Sequence, residues 1–458
     1  EIASCLVGSE MCIRDRPNYM LHPRHGQEVI DRYFDSIENQ MTEEQKKGSN
    51  FFFQDELSIP FSQKTWSPDI PKRFKEKKGY DIIPYLPALQ QNIGSMTFKV
   101  RLDYYDVLMD LVEECYFKPI FNWHWKRGLI YGCDNFGRGL NPKSYVDYFR
   151  TTRWFSAPGN DAPARGSSLL QCKVSSSIAH LYKRPRTWLE AFHSMGWGSD
   201  GEVLTSQFDQ HAIGGGNLLC LHGLYYSTRG GWLEWAPPDF HFRMPYWEHM
   251  KYWLKYTERM CFLLSQGTHV CDVAIVYPTE IVQAIPNASP RLAFDLSMNL
   301  FNSGIDFDFL DYQSLKRAAT KDGYLSVSGE KYKVLILADM EVMHHSSLQT
   351  ILMHYRNGGI VMAAGKLPEA TTLTGANNPE VDAIVRELFG VTATEQKSGK
   401  TPFSQTNKAG GRTVYLKNKN IAKEVTPLLV RDFKNCDNDS SKVMHRRIGM
   451  RDIYMVLN

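Results

Sequence analysis

The chain has 458 residues, a formal net charge of +3, 43% hydrophobic residues and 22% charged residues. That length exceeds one ordinary core, so two or three domains are expected of a globular composition. The charge is too small to call for a nucleic-acid partner. No apolar run is long enough for a membrane span.

The first sixteen residues stand apart. Residues 6–15, "LVGSEMCIRD", look like a translated sequencing-library adapter, so 1–16 are set aside as an artefact foreign to the fold. The remaining cysteines are scattered at 115, 133, 172, 220, 261, 271 and 436 without a CxxC pair. That spacing suggests neither a zinc site nor a disulfide framework.

From residue 26 to 40, Val29, Ile30, Tyr33, Phe34 and Ile37 share one helical face. Gly48-Ser49-Asn50 ends that pattern and "FFFQDE" follows as a strand. A loop and a short charged helix ending near Gly79 come next, then a largely helical stretch through "PALQQNIGSMTFKVRLDYYDVLMDLVEECYF". "KPIFNWHW" (118–125) reads as the second strand, and Gly128 to Ser168 as a long loop. "SSSIAHLYKR" reads as a short helix, "PRTWLEAF" (185–192) as the third strand, "EVLTSQFDQHAIGGG" as a helix and "NLLCLHGLYY" (217–226) as the fourth strand. An amphipathic helix is expected around 244–266.

Strands alternating with helices predict a parallel sheet. Each predicted strand runs into polar or ionisable residues: Asp55-Glu56, Asn122 with His124, Glu190, and His222. A (β/α)8 barrel builds its site at the C-terminal strand ends. Four strand units where a barrel needs eight make 17–268 the C-terminal part of a TIM-type barrel. After Gly267 the texture becomes that of an open α/β sheet, a doubly wound, flavodoxin-like domain over 269–395. It carries no dinucleotide-binding or Walker loop. Residues 396–458 read as a linker and the start of a truncated β domain.

Two carboxylates in one cleft suit hydrolysis of a glycosidic bond, one protonating the leaving oxygen while the other activates water or attacks carbon. Glu56 and Glu190 both close apolar strands that would partly desolvate them, which suits acid–base work. His124 and His222 read as ring donors to sugar hydroxyls or as satisfied core histidines. Asp161, in the Pro/Gly-rich "APGNDAP", reads as a ligand for a sugar hydroxyl or calcium, or as a turn residue. Asp209 reads as a structural helix residue. Trp123, Trp125, Trp197, Trp232 and Trp235 supply candidate stacking surfaces.

At these residues the chain resembles glycoside hydrolase family 106, the α-L-rhamnosidases. The matching stretches are "YMLHPRHGQEVIDRYF", "FFFQDELS", "WSPDIPKRFKEKKGYDIIPYLPAL", "FNWHWKRG", "YFRTTRWFSAPGND", "SSSIAHLYKRPRTWLEAF" and "LLCLHG", in the family's order over about 17–395. The resemblance implies a (β/α)8 barrel that removes terminal α-L-rhamnose from a plant or microbial polysaccharide with inversion and calcium assistance. It implies Glu56 as general acid and Glu190 as general base, with Asp55, Asn122, His124, Asp161 and His222 around the sugar. It transfers no calcium ligand and calls for no organic cofactor. It also implies a periplasmic or secreted location. One departure stands out: after Asn122-Trp123-His124 no acid follows closely, since "WKRG" takes its place. The alternatives are a retaining glycosidase of the β-galactosidase type and a non-catalytic carbohydrate-binding barrel.

Overall fold

The structure is a computed structural model that describes residues 19–457 apart from 58, 60, 135–137, 163–167, 226, 228, 230–235, 418–419, 432 and 434–440. Residues 1–16, Trp232, Trp235 and Cys436 lie outside the described residues.

Five parallel strands form the first unit: β1 (Phe51–Gln54), β2 (Ile130–Cys133), β3 (Gly159–Ala162), β4 (Trp188–Ala191) and β5 (Leu218–Leu221). β1 pairs with β2, and β3, β4 and β5 pair in order. A parallel bridge from Gly132 to Ala157 joins the two sets. Side chains alternate across a strand. On one face Gln54, Tyr131, Leu189 and Ala191 are buried, with the Tyr131 hydroxyl donating to Gln54 and Gln54 donating to the Tyr116 hydroxyl at 3.3 Å. On the other face Trp188 stacks on Phe53 at 5.0 Å between ring centroids.

Two sequence expectations fail here for physical reasons. The segment expected as the second strand is helical. Residues 97–126 form one continuous run: α1 (Thr97–Val112), a π-helical turn (Glu113–Phe117) and α2 (Lys118–Lys126). Pro119 sits in the first turn after the π segment, where its missing N–H is tolerated. Its aromatic run is helix-periodic: Phe121 stacks on Trp125 four residues on, at 5.4 Å. The true second and third strands lie inside the expected loop. Both contain a glycine, which weakens the strand signal. A Cβ on Gly132 would stand 2.4 Å from the Trp188 ring, and one on Gly159 would stand 2.3 Å from the Cys133 carbonyl. The glycines make room for the indole and for a neighbouring backbone.

The connecting helices α3 (Ser168–Leu181), α4 (Gly201–Ile213) and α5 (Met250–Leu264) alternate with the later strands. Asp209 lies on α4, as expected, and accepts from the Tyr256 hydroxyl at 2.5 Å.

The second unit holds β6 (Val273–Val276), β7 (Asp308–Leu310), β8 (Val334–Ala338), β9 (Ile360–Ala364) and β10 (Arg412–Leu416), all parallel, with β6 between β7 and β8 and β10 outermost beyond β9. Their residues are nearly all buried, as expected of strands covered on both faces. Because β10 joins this sheet, the α/β unit runs past residue 395 into the stretch expected as linker. The final strands, β11 (Lys442–Ile448) and β12 (Arg451–Leu457), form an antiparallel pair, and β11 also pairs with Thr268–His269.

The units meet through buried charges. Lys173 on α3 reaches Asp306 at 2.6 Å, and His180 reaches Asp308 at 3.0 Å. His269 contacts both carboxylates, at 2.7 Å and 3.2 Å, while the Tyr332 hydroxyl donates to Asp308 at 2.9 Å. Burial alone would lower the His269 pKa, but the Asp308 and Asp306 charges hold it well above its ordinary value. Asp306 is pulled down to about 2, because Lys173 and His269 outweigh its burial. Cys115, Cys133, Cys172, Cys220, Cys261 and Cys271 are free thiols.

Candidate active site

Parallel pairing sends the C-terminal ends of β1 to β5 to one side. Asp55 follows β1, Asp134 follows β2, Asp161 and Glu190 stand inside β3 and β4, and His222 follows β5. Asp161, Glu190 and Cys220 are in register across three neighbouring strands. Two-residue alternation puts Glu190 on the face of Trp188, Asp134 on that of Gly132, and Asp55 on that of Phe53. The acids therefore share the face on which the Trp188 ring lies.

Asp134 is buried, and its Oδ1 has no hydrogen-bond partner among the described residues. Burial first, then the neighbouring Glu190 carboxyl and the charges of Asp55 and Asp161, push its pKa up to about 11. Asp161 meets His193 Nε2 at 2.9 Å. That contact, working against burial and helped by the charges of Glu190 and Glu56, raises the His193 pKa. The His193 ring lies 5.5 Å from that of His222. Glu56 is exposed, and its backbone N–H donates to Asp55 Oδ1 at 2.7 Å. Burial and the charges of Glu190 and Asp134 push the Cys220 thiol up to about 12, so it stays a neutral thiol.

The structure thus brings together Asp55, Glu56, Asp161, Glu190 and His222 from the sequence reading. Asp161 stands in a strand rather than a loop. Asn122 and His124 are not at strand ends. Asn122 lies exposed on α2. His124 is buried, stacks on Tyr131 at 4.3 Å, contacts the Ile120 carbonyl at 2.9 Å, and is lowered by burial to about 4. Trp123 donates to Asp35 at 2.7 Å under the Arg127 guanidinium, which makes it packing. Trp125 is exposed on α2, and Trp197 is exposed in the loop after β4.

Sequence reasoning missed Asp134 and His193. Asp134 had a signal: "LIYGCD" is an apolar run ending in an acid, the same pattern as "FFFQD", interrupted by one glycine. His193 follows the Glu190 strand between Phe192 (φ 85°) and Ser194 (φ 61°), a left-handed bend that sequence alone does not announce.

The profile of glycoside hydrolase family 106, α-L-rhamnosidase, matches residues 20–458. The chain belongs to this family. It is similar to the structure of a rhamnosidase from Novosphingobium sp. PP1Y, with a TM-score of 0.73 and 17% identity over 95% of this chain and 42% of that one. It is also similar to Gan42B, a GH42 β-galactosidase from G. stearothermophilus, seen as a catalytic mutant: TM-score 0.62, 12% identity, 84% of this chain and 69% of that one. A curated protein of Formosa agariphila, described as a candidate β-glucuronidase, is 23% identical over 86% of this chain and 32% of its own length. The family 106 chain thus spans about a third of that relative and 42% of the Novosphingobium rhamnosidase. At these identities the structural likenesses show a mixed α/β glycosidase fold.

Proposed function

We propose that this family 106 chain carries the catalytic face of an inverting α-L-rhamnosidase, in which Glu56 protonates the leaving oxygen and Glu190 activates the attacking water. The observation that carries the reading is the gathering of Asp55, Glu56, Asp134, Asp161 and Glu190 at one end of five parallel strands. The five strands and their helices are read as part of a (β/α)8 barrel, whose chemistry sits at that end. The second sheet has strand order 2-1-3-4-5 in chain numbering, the order of flavodoxin-like folds, and no catalytic part is given to it. Asp55, Asp161 and His222 are the proposed sugar contacts, joined by His193. The substrate is a terminal rhamnose on an oligo- or polysaccharide, and the location periplasmic or secreted, as the family resemblance implies.

Calcium enters the proposal through that resemblance. Carboxylate oxygens are the right donor type. Among the described residues, however, the His, Cys, Asp and Glu set whose ligand atoms converge within 4.8 Å is His180, His269 and Asp308 in the buried interface, not the strand-end acids. These acids as placed do not form a calcium cradle, so no ligand is assigned and no step runs through the ion.

The test incubates the full-length protein with a rhamnose-bearing pectic oligosaccharide and follows free rhamnose, with Glu190→Gln as control. Release that the substitution abolishes, with β-rhamnose as the first product seen by proton NMR, is expected. The α anomer as first product would replace inversion by retention. No release from folded protein would discard the sugar.

A further inference from the structure

The second sheet has no part in the two-carboxylate scheme, yet its topology builds a cleft. From β6 the chain runs out to β7 on one side and returns to β8 on the other, so the strand order reverses between β6 and β8. In an open α/β sheet the connections leave that point in opposite directions, and ligands bind in the crevice they open beyond the carboxyl ends of the strands. A cleft of about 320 Å³ lies there, within the size range of small-ligand sites. One wall is Ile281 on α6 (Thr279–Ala284), the helix after β6, continued by Ile285, Asn287 and Ser289. The other is Asp339 and Glu341 after β8, with Lys366 after β9.

The polar wall is held in place. Asp339 directly follows β8 with φ 52°, a left-handed conformation uncommon outside glycine. Its Oδ1 accepts from the Lys366 backbone N–H at 3.0 Å. A Cβ on Gly365 would stand 2.0 Å from that oxygen, so the glycine lets the carboxylate lie against the turn after β9. Glu341 is buried, and its carboxylate takes Lys366 Nζ at 2.5 Å and Lys397 Nζ at 3.1 Å. The charges lining the cleft are therefore two carboxylates against one ammonium, which disfavours an anion. The ammonium already lies on Glu341, which disfavours a bare metal cation. Carboxylate acceptors with ammonium, amide and hydroxyl donors, beside an aliphatic wall, suit a ring whose hydroxyls both donate and accept and whose C–H faces are apolar.

We propose that this cleft is a second, non-catalytic saccharide site that takes one neutral sugar ring. Asp339 accepts from its hydroxyls, Lys366 and Asn287 donate to it, and Ile281 and Ile285 face its C–H side. The cleft shares no residue with the acids of the first unit, so it does not depend on the roles given to Glu56 and Glu190.

The test is saturation-transfer-difference NMR of the full-length protein titrated with L-rhamnose, D-galactose or D-galacturonate. Wild type is compared with two variants. Asp339→Gly deletes the carboxylate and tolerates the left-handed backbone. Ser289→Trp fills the cleft from its exposed rim. A neutral sugar should bind, and Asp339→Gly should weaken that binding about tenfold or more, the loss expected for a hydrogen bond to a charged group. Ser289→Trp should weaken it as well. Both variants should keep kcat and KM on an aryl α-L-rhamnoside, which reads the first unit alone. Neutral-sugar binding unchanged in either variant would overturn the site, and so would galacturonate binding better than the neutral sugars. Loss of aryl rhamnoside hydrolysis in the folded variants would overturn the separation of cleft and catalytic face. Cleft binding that both variants weaken, in a protein that hydrolyses no rhamnoside, would keep the cleft and overturn the proposed rhamnosidase reaction instead.

Discussion

Gly132→Ala probes the architecture beneath the site. The new Cβ would stand 2.4 Å from Trp188 Cε3 and 2.9 Å from Cδ2. The indole cannot simply step aside, because Phe53 stacks on it at 5.0 Å and Phe51 lies at 5.7 Å. Overpacking of this kind costs about 1–3 kcal/mol. Alanine recovers about 0.5–1 kcal/mol through lower backbone entropy in the unfolded chain. The net expectation is a destabilisation of up to about 2.5 kcal/mol, read as a lower urea midpoint. The variant Trp188→Leu trims the ring and costs stability through its cavity. Combined with Gly132→Ala it should cost less than the two added, with a coupling of at least about 0.5 kcal/mol. Strict additivity, or a stabilised Gly132→Ala protein, would refute the claim that the glycine exists to admit the indole.

Three further outcomes are expected. Lys173→Met leaves Asp306 in the buried interface without its lysine and should destabilise by about 3–5 kcal/mol in chemical denaturation; a near-neutral effect would mean that water reaches Asp306. The His269 pKa is raised on folding, so its stabilising contribution is full below its ordinary 6.5 and is lost as pH rises through the folded value. That of Asp306 is full above 3.8 and is lost as pH falls through about 2. The midpoint gap between wild type and His269→Gln should therefore narrow on the alkaline side, and a gap constant with pH would contradict a charged His269. Asn122→Ala, on an exposed helix face, should change stability by less than about 0.5 kcal/mol and leave sugar release intact; lost release would return Asn122 to the sugar.

The sequence was legible where a strand kept an unbroken apolar run. "FFF", "TWL" and "LLCL" all became strands, and the acids after the first two sit where they were expected. Legibility failed where tertiary contacts chose the residue. Gly132 and Gly159 look like loop residues because the contact that requires them, the Trp188 ring and the Cys133 carbonyl, lies far away in the chain. With those strands unseen, Asp134 had no strand to terminate. The opposite error was to read "KPIFNWHW", rich in aromatics of high strand preference, as a strand although it contains a proline. The π turn before Pro119 and the packing of Phe34, Tyr131 and Trp123 around His124 overrode that preference. The second sheet was plain because its strands are buried on both faces. Only β10, set among lysines and glycines, was hidden.

The pairing of β11 with Thr268–His269 has a topological consequence. The chain enters the second unit at residue 268 and, after completing that sheet, returns to Arg446 and Arg447 beside the same two residues. The guanidinium of Arg446 ties the return to the Gln266 and Gly267 carbonyls at 2.6 Å and 3.0 Å. Neighbouring strands lie about 4.8 Å apart, so the second unit hangs from the molecule as a closed loop with adjoining feet. In engineering terms it is a cassette. A linker of a few residues would bridge its two attachment points, and the obstacle to exchanging it is the charged interface of Lys173, His180 and His269 rather than the course of the backbone.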